Sequence, residues 1–277
     1  MTRYVSTTEG IGVLDDGEVE LLVTDYRDLG EALTDGVDLA ELSDAPRRAN
    51  HRADSLRLLP PVLKPSKIWA VGWAYMKHRE EVGHDDNHDE PFIFLKAPSS
   101  VVATKQPIKV PKIAPSKVDY EGELAVVIGR RASAIESGEA LSHVAGFTIG
   151  NDVSARDVQK GESPGRMANI SLGKSFDTFT PLGPCISTLE EFPDPNRLWL
   201  RTFVDGELRQ DALTSDLMCS VPDLVAYISQ YTTLEPADVL LTGTPAGVGH
   251  PEGRFLKAGS TIRIEIENIG VLENHVE

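Results

Sequence analysis

The sequence is poor in cysteine. Two among 277 residues, Cys185 and Cys219, do not make a disulfide framework. Neither belongs to a Cys-x-x-Cys pair or a Cys/His cluster, so a thiolate zinc site is excluded and both read as buried thiols. No run of about 18 apolar residues occurs, which excludes a membrane-spanning helix. The opening MTRYVSTTEG lacks a basic segment followed by an apolar one, so no secretory signal is expected and the expected compartment is the cytoplasm. Lysine is scarce: none precedes Lys64, and the chain has 11 Lys against 16 Arg. With 27 basic and 43 acidic residues the net charge is −16. Such a surface repels nucleic acid and anionic lipid, which leaves a small molecule as the expected partner. An acidic substrate would need a locally positive site. An acidic, lysine-poor surface fits adaptation to high salt as well as it fits an ordinary acidic protein.

What is present is a chain of short strands. Ile11–Leu14 and Val19–Val23 flank Asp15-Asp16-Gly17, a hairpin signal, and Asp28–Leu33 fits a short helix. Ala45–Asp54 is polar and basic, and Pro60-Pro61 breaks the chain. Residues 1–60 are expected to form a small N-terminal domain and 61–277 a larger one. In the latter, Lys67–Trp73, Phe92–Leu95, Val101–Thr104, Glu123–Ile128, Val144–Ile149, Leu198–Val204, Leu208–Gln210, Val239–Thr242 and Thr261–Glu267 read as strands. Tyr75–Val82, Ala134–Leu141 and Val221–Tyr231 read as helices. Helices do not alternate with strands, which argues against a doubly wound sheet and for an α+β or mainly β roll.

The chemistry lies in carboxylates. Asp119-Tyr120-Glu121-Gly122-Glu123 runs into the apolar Leu-Ala-Val-Val-Ile. Residues i and i+2 of a strand share a face, so Glu121 and Glu123 stand side by side at its mouth. Two close, partly buried carboxylates repel each other and lose hydration; a divalent cation relieves both costs. All-oxygen donors favour Mg²⁺, Mn²⁺ or Ca²⁺. A solvated strand face explains the same spacing. Val144–Ile149 ends at Gly150-Asn151-Asp152, where Asp152, with Asp157 second, offers a third ligand; Asp152 as cap of a following helix is the structural alternative.

DYEGELAVVIG, GFTIGNDVSARDVQ, GKSFDTFTPLGP and LLTGTPAGVG occur in this order between about residues 65 and 270. Together they resemble the fumarylacetoacetate hydrolase family. The resemblance implies a mixed β-sandwich roll, usually dimeric, with a small N-terminal domain. It implies Mg²⁺ or Mn²⁺ on Glu121, Glu123 and Asp152. The implied activity is C–C hydrolysis of a β-diketo acid such as an acylpyruvate, through an enolate held at the metal. Tautomerisation, isomerisation or decarboxylation of oxaloacetate or muconate-type diacids, and sugar-acid hydrolysis or dehydration, are alternatives on the same scaffold. A non-catalytic metabolite-binding protein and a structural Ca²⁺ roll are the non-enzymatic alternatives.

The resemblance also carries His78 and Glu81 as the pair that activates water; at i and i+3 on a helix they face each other. Lys174 is expected to neutralise developing negative charge. Tyr75, Arg156, Gln159, Gly243 and Thr244 are the remaining expected substrate contacts. The family commonly has Asn where this chain has Ala74, which removes a polar group near the site. His84 and His88 read as solvated residues of a lid over Arg79–Glu90. GTPAGVG lacks the GK[ST] ending of a phosphate loop.

Overall fold

The computed structural model describes the chain except residue 1 and residues 85–89, 163, 164, 166, 190, 191 and 193–196, so His88 lies outside the described residues. The fold is α+β. Among the described residues, eleven strands form one mixed sheet and four form a second, antiparallel one. In the large sheet the order is Arg47–Arg52, Glu18–Leu22, Gly10–Asp15, Arg3–Thr7, Thr180–Ser187, Val144–Asn151, Gly122–Ile128, Val239–Leu241, Ile68–Gly72 and Phe92–Lys96. Val101–Val102 pairs in parallel with Thr180–Ser187, and Val239–Leu241 in parallel with Ile68–Gly72. The second sheet runs Glu207–Leu213, Trp199–Val204, Thr261–Ile266, Gly270–His275.

Period-two alternation along Gly122–Ile128 explains the layering. Leu124, Val126 and Ile128 enter one apolar cluster together with Leu200, Ile262, Ile264 and Leu272 of the second sheet. Ala125 and Val127 point the other way, into a cluster with Leu29, Leu33, Ile68 and Ala70. Every residue of this strand is buried, so each face carries core packing.

The two Asp-Gly turns form as the sequence predicts. Asp16 and Gly17 have φ of 40° and 79°, and Asp205 and Gly206 have 52° and 81°, the doubly left-handed pair that lets a two-residue loop follow strand twist. Asp28 caps the helix Leu29–Thr34 by accepting from Gly30 N–H and Glu31 N–H. The helix Val221–Tyr231 starts on the Ser220 cap and buries Val221, Leu224, Val225 and Ile228.

Three features depart from the sequence reading. Ala134–Leu141 is not an α-helix: Ala134 is left-handed at φ 54°, its N–H goes to Ser229 O, and only a 3₁₀ segment, Ser137–His143, follows. Thr180–Ser187, which carries two prolines and a glycine and is not among the expected strands, is a fully buried strand, with the register of its partner shifting between Phe147 and Ile149. Arg3–Thr7, Arg47–Arg52 and Gly270–His275 are further strands. Through Arg3–Thr7, paired with Thr180–Ser187, the N-terminal residues continue the large sheet.

Candidate functional site

Antiparallel pairing of two core strands builds the site. Gly150 lies opposite Glu123 and Asn151 opposite Gly122, so the chain leaving Val144–Asn151 arrives beside the chain entering Gly122–Ile128. Asp152 N–H then donates to Glu121 O at 2.9 Å, and Asn151 Oδ1 accepts from Glu121 N–H at 3.0 Å. These bonds fix Glu121, Glu123 and Asp152 as a buried cluster, one ligand oxygen of each lying within 4.8 Å of the others. Gly122 permits the approach of the second sheet: a Cβ there would lie 2.2 Å from Thr202 Oγ1. Asp152 caps no helix; its carboxylate belongs to the cluster.

The acids are met by buried bases. Lys174 Nζ lies 2.7 Å from both Glu121 Oε2 and Asp152 Oδ2. Lys96 Nζ donates to Asp152 Oδ1 at 2.6 Å, to Phe179 O at 3.1 Å, and to Lys174 O. Arg156 reaches Glu121 Oε1 at 2.7 Å and Asp119 Oδ2 at 2.8 Å. Burial raises Glu121, but the charges of Lys174 and Arg156 outweigh it and hold that carboxyl well below its usual range. Glu123 goes the other way: burial and the charges of Asp152 and Glu121 push it well above. Burial disfavours the Lys174 charge, yet Asp152 and Glu121 raise it on balance, whereas burial lowers Lys96 despite Asp152.

A divalent cation fits this donor set. Gly243 N–H donates to Glu123 Oε2 at 2.6 Å, while Glu123 Oε1 is buried with no hydrogen-bond partner among the described residues. An unpartnered carboxylate oxygen between two further carboxylates is costly without a cation. Asp119, Glu121, Glu123 and Asp152, if all ionised, exceed Lys96, Lys174 and Arg156 by one negative charge. A divalent ion reverses that sign, giving an acidic protein a locally positive site.

Glu121 lines a cavity of about 760 Å³ together with His78, Arg156, Gln159, Lys174 and Thr244. His78 sits on the helix Met76–Glu81, and its Nδ1 lies 3.1 Å from Glu81 Oε2. Glu81 Oε1 accepts from Gly247 N–H at 2.9 Å, so the carboxylate is anchored at both oxygens. This arrangement places the ring proton on Nδ1 and leaves Nε2 as the basic nitrogen. The opposite wall is aromatic. Trp73, held at φ 54°, stacks on His84 with centroids 4.0 Å apart and lies 4.7 Å from Phe92.

Not every expected contact faces this cavity. Tyr75 is 1% exposed and borders a separate 400 Å³ cavity with Asp211 and Asp216. The N–H of Gly243 is spent on Glu123. Thr244 Oγ1 donates to Gly122 O at 3.0 Å and accepts from Gln210 Nε2 at 2.7 Å. Arg156 Nη1 also donates to Gln159 Oε1 at 3.0 Å, so these two bind each other across one turn.

Sequence reasoning missed Asp119, Lys96 and Gln210. Asp119 is fully buried and accepts from Arg156, Gly249 N–H and His250 N–H. Its signal was available: it continues the period-two series of Glu121 and Glu123. Lys96 ends the apolar run Phe-Ile-Phe-Leu, a place for a buried cation once a carboxylate is known to face it. Gln210 Oε1 accepts from Gly122 N–H at 3.0 Å across the two sheets, and nothing local announces it.

Residues 67–277 match the family model described as fumarylacetoacetate (FAA) hydrolase C-terminal. The chain is 41% identical over 224 residues to a protein of Xenopus laevis named "Oxaloacetate tautomerase fahd2, mitochondrial", covering 80% of this chain and 69% of that one. It is 40% identical over 225 residues to "Oxaloacetate tautomerase YisK" of Bacillus subtilis (strain 168), covering 80% and 73%. The solved structure of a 2-hydroxyhepta-2,4-diene-1,7-dioate isomerase from Mycobacterium marinum superposes with a TM-score of 0.78 at 33% identity, covering 99% of this chain and 97% of that one. On four ordered motifs, the sheet that brings their carboxylates together, and these likenesses, the chain belongs to the fumarylacetoacetate hydrolase family.

Proposed function

We propose that this chain is a divalent-metal-dependent enzyme that interconverts the keto and enol forms of a small 2-oxo acid, with 2-oxo dicarboxylic acids as its substrate class. The observation that carries the reading is the buried triad Glu121, Glu123 and Asp152 opening on the cavity that His78 also lines. Two relatives named oxaloacetate tautomerases and a structural neighbour named an isomerase support it over the C–C hydrolysis expected from the sequence.

When bound on the triad, Mg²⁺ or Mn²⁺ supplies Lewis-acid polarisation of the 2-oxo group. The chain's own groups do the rest. His78 Nε2 takes the proton from C3 of the 2-oxo acid. Glu81 holds the ring in place through Nδ1. The C3–H electron pair moves into the C2–C3 bond and the C2=O pair onto oxygen; the same imidazolium then returns its proton to that oxygen, which completes an isomerisation without a co-reactant. Lys174, kept protonated by Glu121 and Asp152, provides fixed positive charge rather than a proton.

The test is the rate of enol loss from oxaloacetate, followed by ultraviolet absorbance with Mg²⁺ and with EDTA. A catalysed rate that survives EDTA and Asp152→Asn refutes the reading. The His78–Glu81 pair also fits a base that activates water, which keeps C–C hydrolysis as the second reading. Turnover of acylpyruvates to pyruvate faster than oxaloacetate tautomerisation would establish it.

A further inference from the structure

Three Lys and Arg side chains line the cavity among the described residues: Arg156, Lys160 and Lys174. Two are already committed. Arg156 is bonded to Asp119, Glu121 and Gln159, and Lys174 to Glu121 and Asp152. Lys160 is different. Its ammonium donates to Nε2 of His250, a ring that also lines the cavity, and it forms no ion pair among the described residues. The acidic side chains around it are taken: Glu162 by Lys117 at 2.6 Å and Asp119 by Arg156. Burial and the charges of Lys160 and Arg156 hold His250 below its usual range, so its Nε2 is an acceptor. An ammonium has three donor hydrogens, which leaves two unused here. In a chain of net charge −16, a cavity-lining lysine without a carboxylate partner among the described residues suits an anion.

Position says which anion. Lys160 N–H donates to Arg156 O at 2.9 Å, closing one helical turn. Lys160 therefore lies about 6 Å further along the axis than Arg156, the residue that touches Glu121. Roughly five bonds of an extended chain cover that distance.

We propose that Lys160 is the specificity-determining residue that holds the distal carboxylate of a 2-oxo dicarboxylic acid whose 2-oxo acid head lies at the carboxylate triad. The proposal rests on the metal-and-keto-acid reading above for the position of the head. It makes the substrate a diacid by a contact at the tail that the triad does not supply.

Calorimetric titration of the Mg²⁺-loaded protein tests it with a matched pair, 2-oxoadipate and 2-oxohexanoate, which differ in the distal carboxylate, and with oxalate as a head-only probe. The wild type should bind 2-oxoadipate at least about tenfold more tightly than 2-oxohexanoate, the scale of one charge-assisted contact. Lys160→Met should bring 2-oxoadipate down to the level of 2-oxohexanoate while leaving 2-oxohexanoate and oxalate unchanged, and Lys160→Arg should keep most of the preference. A wild type that does not discriminate within the pair overturns the proposal, as does a Lys160→Met variant that weakens both acids alike. Oxalate binding that Glu123→Gln does not weaken would instead refute the metal-bound head; the six-carbon pair still decides Lys160 by itself.

Discussion

Replacing Glu123 by Gln separates the protein's stability from cation binding at the triad, with a sign that runs against the usual effect of deleting a site residue. Glu123 is fully buried, and burial with the charges of Asp152 and Glu121 raises its pKa well above the ordinary value. Between the ordinary value and the raised one, the metal-free folded state holds a proton that the unfolded chain has released. Stability is therefore fully present below the unfolded pKa and falls as pH rises through the window, by at most about 1.4 kcal/mol per pH unit. For a chain of 277 residues that slope corresponds to about 2–3 °C in melting temperature per pH unit. Gln carries no such proton, and its amide oxygen can still accept from Gly243 N–H. In EDTA, Glu123→Gln should melt above the wild type in alkaline buffer and approach it as pH falls. Mg²⁺ should invert that order. A ligand at 100 times its Kd stabilises by about 2.7 kcal/mol, and only the wild type keeps the triad to bind it. Calorimetric scans of both proteins across pH, with EDTA and with Mg²⁺, provide the measurement. Parallel pH curves in EDTA, or equal stabilisation of both proteins by Mg²⁺, would refute the reasoning.

His78→Gln should lower kcat for oxaloacetate tautomerisation by about 10²–10⁴ while largely preserving calorimetric Mg²⁺ affinity, because the ring's hydrogen bond goes to Glu81 and not to a triad carboxylate; an unchanged kcat assigns the base elsewhere. Asp119→Ala removes the partner of the buried Arg156 guanidinium and of three backbone N–H groups, and should cost about 3–5 kcal/mol in urea unfolding. A loss below about 1 kcal/mol would mean that water or Glu121 replaces Asp119 fully. The net charge of −16 predicts a melting temperature that rises with KCl as surface repulsion is screened, and a flat profile up to 1 M would assign the acidic composition no role in stability.

Local spacing carried part of this site. Glu121 and Glu123 share a strand face because the strand has period two, and His78 and Glu81 meet because a helix turn brings i to i+3. The turns at Asp16-Gly17 and Asp205-Gly206 were legible for the same reason: two consecutive left-handed residues are a local demand. Thr180–Ser187 was not, since its propensity is that of a loop and its strand exists only because buried neighbours hold it on both sides. The position of Asp152 depended on register. A slip of one residue between Val144–Asn151 and Gly122–Ile128 would turn side chains to the opposite face, and spacing in the sequence does not encode that register.

The same distinction separates chemistry from specificity. The triad and its dyad lie in stretches that the family resemblance picks out; their bases come from Lys96, three strands away in the sheet from Gly122–Ile128, and from Lys174 at the C-terminal end of the helix Ile170–Gly173. Electrostatics then orders the roles. Lys96, Lys174 and Arg156 each face a buried carboxylate and so set the charge of the site, whereas Lys160 lines the cavity without one among the described residues. A cation already neutralised by the protein gives a substrate little, because its attraction is offset by the acid behind it; an uncommitted one gives its full contact. Selectivity for the tail of the substrate is therefore expected where the protein left a charge open, at the residue that directly follows Gln159 of the family motif and lies one helical turn past Arg156.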